Sequence, residues 1–278
     1  MEALLGDWTE RIPELHAVFK GARPFSHVTI DDFLDPDAID DIHRHMPAVD
    51  KSWHQYHNPI EVKFANNSLS TFCPTLQKVF IAFATPYFVD KMRSLTGIHD
   101  LTSDQYLHGA GLHAHPRNGR LMMHLDYEKH PISNLQRRLN IILYLSKEWR
   151  PEWNGATELW DAQMTRRVQR VEAKFNRALI FQTDETSWHG VPDIIQCPPD
   201  VYRYSLAFYY LSPLVNAADQ NKAGASKHGY RDRAVFTYRP SDARSPGLDA
   251  LLSIRPHRRI TQADLNEHMP SWCASANS

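Results

Sequence analysis

The chain is poor in cysteine. Cys73, Cys197 and Cys273 stand far apart among 278 residues, with no CxxC pair. So sparse and odd a set excludes a disulfide framework and a cysteine-ligated zinc site, and it fits free thiols in a reducing compartment. Long apolar runs are also missing. Nothing approaches the roughly 20 residues of a membrane span, and the opening MEALLGDWTERIPELHAVFK is too acidic and interrupted for a secretory leader. A cytoplasmic location and no membrane partner are therefore expected. An excess of one charge is absent as well: 31 Lys and Arg face 32 Asp and Glu, for a net charge of −1. That balance removes any global electrostatic case for a nucleic-acid polymer as partner. There is no internal repeat and no low-complexity block.

Histidine, by contrast, is plentiful, with 16 residues. Most are scattered, as in His43, His45, His54, His57, His228, His257 and His268, and read as surface or locally bonded. The group from His108 to His130, together with His189, is concentrated enough to interpret. Around it the patterning divides the chain. Leu4, Leu5, Trp8, Ile12, Leu15, Val18 and Phe19 have helical spacing. A strand at 24–30 leads through Asp31-Asp32-Phe33-Leu34-Asp35-Pro36, which offers capping chemistry for a helix over about 36–45. Residues 50–72 read as a loop region with one strand at most. The segment 74–95 reads as helix broken at Pro86.

After Gly97 the texture changes to short alternating runs separated by turn residues. Strands are predicted at 104–116, 120–127, 138–146, 156–161, 167–172, 177–182, 187–191 and 201–212, a number and spacing that suit a double-sheet jelly roll. Beyond Pro213, residues 216–224 read as an exposed loop, 230–240 as an edge strand, 248–254 and 261–269 as short helices, and the tail after Pro270 as poorly ordered. The expected fold is mainly β with flanking helices (α+β), built on a double-stranded β-helix core of the jelly-roll, cupin-like kind. One domain over 1–278 is expected, with a helical support region at 1–100, the core at 101–213 and a C-terminal cover at 214–278.

Within Gly111 to Tyr127, GLHAHPRNGRLMMHLDY, the tripeptide His124-Leu125-Asp126 places two ligand-type side chains on one face if it lies on a strand. His189, in Ser187-Trp188-His189-Gly190-Val191, supplies a third. Two histidines and one carboxylate with open positions form the facial triad that suits non-haem Fe(II). Arg203 follows His189 by fourteen residues and opens the longest aromatic strand in the sequence. One turn and a return strand can carry it back beside the metal, where a guanidinium can grip the far end of a dicarboxylate, with Ser205 on the same face.

These residues, with Arg138-Leu139-Asn140-Ile141-Ile142-Leu143-Tyr144-Leu145 and Gly155-Ala156-Thr157-Glu158-Leu159 between them, resemble the Fe(II)/2-oxoglutarate-dependent dioxygenases, in particular the prolyl-4-hydroxylase-like branch. The likeness covers about 105–212. It implies Fe(II), 2-oxoglutarate and O2 as cofactor and co-substrates. It also implies His124, Asp126 and His189 as metal ligands and catalytic centre, Arg203 as the anchor for 2-oxoglutarate, Ser205 and Tyr144 as supporting donors, and Asn140 near the co-substrate. Two features depart from the pattern. Gly155-Ala156-Thr157 replaces a double glycine, and the long interval from His189 to Arg203 suggests a larger turn at 197–200. The activity implied is oxidation of a substrate carbon coupled to conversion of 2-oxoglutarate to succinate and CO2. Related halogenases put a small residue where Asp126 stands, so Asp126 favours hydroxylation.

A basic rim is expected from His113, His115, Arg117 and Arg120 before the metal strand and from His130, Arg137 and Arg138 after it. It points to a small-molecule substrate that is anionic and nucleotide- or sugar-like. Trp188 is a further substrate candidate, whereas Trp149, Trp153 and Trp160 read first as packing. Alternatives are hydroxylation of a prolyl or other protein side chain, a non-catalytic metal-binding β-helix protein, and a zinc hydrolase with Glu128 as base. A homodimer is left open.

Overall fold

The computed structural model describes residues 4–214 and 231–275; the loop expected at 216–224 and His228 lie outside them. The N-terminal part is helical. A short 3₁₀ turn at Asp7–Glu10 leads into α1 (Ile12–Gly21), and after β1 (His27–Ile30) comes α2 (Pro36–Arg44). The Asp35 carboxylate accepts from the backbone N–H of Asp37 and Ala38 while Pro36 fills the first helical position, which is why the helix begins there. Pro86 acts in the same way. It ends α3 (Pro74–Ala84) but also starts α4 (Pro86–Thr96), whose Thr85 hydroxyl accepts from Phe88 N–H.

The remaining strands are β2 (His54–Asn58), β3 (Glu61–Asn66), β4 (Thr102–Ser103), β5 (Gly111–His115), β6 (Arg120–Leu125), β7 (Gln136–Tyr144), β8 (Thr157–Trp160), β9 (Arg167–Val171), β10 (Ala178–Gln182), β11 (His189–Val191), β12 (Arg203–Ser212) and β13 (Val235–Thr237). All pairings are antiparallel, in the order β1-β10-β7-β12-β5-β3-β6-β11-β8-β9, with β13 added to β6, β2 to β3 and β4 to β12. The order folds into two facing layers, one centred on β10, β7, β12 and β5 and the other on β6, β11, β8 and β9. This is a nearly closed jelly roll. Helices α5 (Pro246–Ile254), α6 (Gln262–His268) and α7 (Pro270–Ser275) pack beyond β13.

The alternation of β12 explains how the core and the cavity coexist. Leu206, Phe208 and Tyr210 point to the helical side, where they join Phe19, Phe33, Leu76, Phe83 and Phe88 in one large apolar cluster. Arg203, Ser205, Ala207 and Tyr209 point the other way and line a cavity between the layers.

The structure corrects four expectations. Residues 50–72 hold a full hairpin, β2 to β3, which polar side chains on the cavity face disguise as loop. Residues 104–110 are irregular, so the strand expected at 104–116 is only β5. Pro270–Ser275, within the tail expected to be poorly ordered, form α7. Strands β2 and β3 also join the sheet from outside 101–213, as do β1 and β13, which lie where strands were expected.

Candidate active site

His124 and Asp126 sit at the end of β6, and His189 opens β11 directly beside it, paired with His124 in the register of the two strands. One ligand-type atom from each of the three lies within 4.8 Å of the others. His124 Nε2 is 3.7 Å from Asp126 Oδ1, and His189 Nε2 is 3.8 Å from Oδ2. Both imidazoles are held in one tautomer by the same device. Nδ1 of His124 donates to Met122 O at 3.0 Å and Nδ1 of His189 donates to Ser187 O at 2.9 Å, so each Nε2 lone pair faces the cavity.

Burial, aided by the neighbouring imidazole, lowers His124 to about 3. Burial lowers His189 too, against the pull of Asp126. Burial alone would raise the Asp126 carboxyl. The Arg137 guanidinium overrides it and holds the carboxyl well below the usual range. Neutral imidazoles and an ionised carboxylate are the protonation states a divalent metal requires.

Arg137 is the residue that the sequence reading undervalued. Its guanidinium lies between the rings of Tyr127 and Tyr209, at 3.6 and 3.5 Å from their centroids, and Nη1 is 3.1 Å from Asp126 Oδ2. Asn140 Nδ2 donates to the same oxygen at 3.4 Å. Oδ2 is thereby engaged on the side away from His189, and Oδ1 is left toward His124. Simple alternation would put Arg138, not Arg137, on the cavity face. A bulge between the pairs Tyr210–Leu139 and Leu211–Arg137 inserts Arg138 as an extra residue and re-aims its neighbour.

Deeper between the layers, Arg203 is buried on β12. Its Nε donates to Gly155 O at 2.5 Å and Nη2 to the Thr157 hydroxyl at 3.2 Å, which leaves the rest of the fork for a ligand. Gly155 has φ of +85°, and a β-carbon there would meet Arg203 Cδ at 2.9 Å, so glycine is required for the guanidinium to lie in place. The Tyr144 hydroxyl donates to Thr157 at 2.9 Å. Tyr144 therefore supports Thr157 and Arg203 from behind and does not line the cavity. Ser205 lines it, as do Asn140, His113 and His115. His115 registers opposite Arg203 and is 2% exposed, with both ring nitrogens unpartnered.

The remaining substrate candidates lie elsewhere. Arg117 reaches Cys197 O, and Arg120 faces Asp242 and Arg239. His130 is wholly buried against Asp104, with Nε2 3.3 Å from the carboxylate. Arg138 and Trp188 do not line the cavity, nor do Trp149, Trp153 and Trp160. Glu128 is turned to Arg231 at 3.3 Å. The cavity, of about 390 Å³, is instead completed by side chains from β2 and β3, including His54, and by Arg255, Arg259 and Phe236 from the C-terminal part. None of these carries a motif, although the alternation Glu61, Lys63, Ala65 was a strand signal in the sequence.

Comparison with known proteins agrees with this picture. Residues 110–211 match the model of the 2OG-Fe(II) oxygenase superfamily. No curated protein matches the chain. Among solved structures, a prolyl 4-hydroxylase from Phytophthora capsici is 20% identical, with 79% of this chain and 70% of that one covered at a TM-score of 0.51. A prolyl hydroxylase from Trichoplax adhaerens, solved with a hypoxia-inducible-factor peptide fragment, is 14% identical, with 76% and 96% covered at 0.52. The fold is thus that of the prolyl hydroxylases. The segment 110–211 is similar to the 2OG-Fe(II) oxygenase superfamily, whose enzymes use Fe(II), 2-oxoglutarate and O2.

Proposed function

We propose that this oxygenase hydroxylates a small molecule, with His124, Asp126 and His189 holding the iron and Arg203 holding the far carboxylate of 2-oxoglutarate. The observation that carries the reading is one cavity in which two tautomer-locked imidazoles and a carboxylate converge beside a buried arginine with free N–H groups. The donor set fits both groups. When bound, the metal and 2-oxoglutarate supply the capacity to oxidise a substrate carbon with O2 while succinate and CO2 are released.

The protein's own part is positional. Arg137 and Asn140 keep Asp126 ionised and turned. Arg203 and Ser205 align the co-substrate through its carboxylate. Neutral His115, with its nitrogens free, offers one more N–H to that carboxylate. Phe236 stacks on His124 at 5.2 Å and Phe181 meets His189 edge-on at 4.7 Å, so apolar rings exclude water from the backs of both ligands. Asp126 fills the place that a halide would need, which favours hydroxylation. The cavity volume favours a small molecule over a protein side chain.

Succinate release from 2-oxoglutarate by the Fe(II)-loaded protein, screened across fractionated metabolites, tests the proposal. His124→Ala and Asp126→Ala are expected to lose more than about 100-fold, beyond the loss typical of residues that only support a ligand. Retained turnover in either variant would show that the metal sits elsewhere.

A further inference from the structure

The outer half of the cavity is walled by residues that neither the metal nor 2-oxoglutarate uses. Lys63, on β3, has a side chain only 13% exposed, with Nζ 4.0 Å from Glu61 Oε2 and 5.1 Å above the Tyr56 ring. Arg255, just past α5, is 14% exposed and shares the same carboxylate, at 3.4 Å from Oε1. Its guanidinium lies 5.2 Å over Phe236, the ring that stacks on His124. Arg259 adds a third cation at the exposed rim. Asp232 and Arg233 also line this half, one charge of each sign.

Among the described residues, Lys63 and Arg255 thus share one buried carboxylate, and Arg259 adds a further positive charge at the rim. The inner half does not neutralise the excess, because Asp126 and the two carboxylates of 2-oxoglutarate are already outweighed by the metal, Arg137 and Arg203. Keeping an ammonium and a guanidinium so far out of water is costly unless an anion meets them. Burial lowers the pKa of Lys63, and the carboxylates of Glu61 and Asp126 only partly oppose this.

We infer that Lys63, Arg255 and Arg259 form a subsite for an anionic group, a phosphate monoester or a carboxylate, at the end of the substrate remote from the carbon oxidised. The inference rests on the oxygenase reading of the inner half. It places the specificity determinant on the β2–β3 hairpin and the C-terminal cover.

The test is anaerobic calorimetry on the full chain loaded with Fe(II) and 2-oxoglutarate, titrated with phenyl phosphate, phenylacetate and benzyl alcohol. The anionic probes are expected to bind at least about tenfold tighter than the alcohol, the step expected for one charge-assisted contact. Phenyl phosphate binding tighter than phenylacetate assigns the subsite to a phosphate; the reverse order assigns it to a carboxylate. Lys63→Gln and Arg259→Gln should each weaken the preferred anion by about tenfold or more, with 2-oxoglutarate affinity changing far less. Arg259 is exposed, so its variant keeps the test decisive if Lys63→Gln misfolds. Equal binding of the neutral probe, or anion affinity unchanged in Arg259→Gln and in any folded Lys63→Gln, overturns the subsite. Failure of the wild type to bind 2-oxoglutarate counts instead against the oxygenase reading beneath it.

Discussion

Arg137 and Arg203 are both buried cations, and each is held by different means. Arg137 is enclosed by Tyr127, Tyr209 and Asp126, so its charge is compensated without any ligand. Removing it leaves Asp126 as a buried charge without its main partner. Arg137→Leu is expected to destabilise the metal-free protein by about 3 kcal/mol or more, measured by urea unfolding, with added Fe(II) restoring part of the loss. Arg203 has no carboxylate partner among its contacts in the described residues, only Gly155 O and the Thr157 hydroxyl. The proposed 2-oxoglutarate carboxylate would fill that place. Arg203→Ala should weaken 2-oxoglutarate by about 30-fold or more, the equivalent of losing one desolvated charge pair, while Fe(II) binding measured alone stays near wild type. An equal loss of both would mean that Arg203 shapes the whole site rather than anchoring one ligand.

Strand β5 and the lead into β8 carry their own consequences. His113 and His115 on β5 are held neutral by burial, with Lys63 and Arg203 adding to the effect, so that their pKa values lie well below the ordinary 6.5. On unfolding they return toward 6.5 and take up protons that the folded state refuses. The folded protein therefore loses stability as pH falls below about 6.5 and gains nothing from them above it. Melting temperatures of the metal-free protein between pH 7 and 5 should show this decline, and His115→Gln should flatten it. Gly155→Ala forces a β-carbon against Arg203 at a positive φ, and is expected to cost about 1–3 kcal/mol while weakening 2-oxoglutarate by displacing the guanidinium.

Much at this scale was legible beforehand. The HLD tripeptide, the strand around His189 and the alternation of β12 placed the triad and Arg203 on facing strands, because a period of two is robust in half-buried strands. Arg137 was expected only as part of a basic rim, and its place beside Asp126 was not legible, since a bulge in β7 broke that period. Lys63 and His54 were hidden for another reason: a hairpin whose inward face is polar to suit a ligand looks like a loop. Arg255 and Arg259 owe their position to packing of α5 against β13 and α6, which no local pattern encodes.

For the whole molecule, the apolar cluster joins Phe19, Phe33, Phe83 and Phe88 of the helical part to Leu143, Leu206 and Phe208 of the sheet. Neither part can bury its face alone. A single calorimetric transition, with equal calorimetric and van't Hoff enthalpies, is expected; two separable transitions would show that the helices form an independent unit. The cavity between the layers joins His124, Asp126 and His189 to Arg203, and the proposed coupling of metal and co-substrate there is the centre of the account. Anaerobic calorimetry of 2-oxoglutarate binding, with and without Fe(II), tests it most directly. The account predicts tight binding to the Fe(II)-loaded wild type, little to the metal-free protein, and little to Asp126→Ala even with Fe(II) present. Binding of equal strength in all three would contradict it.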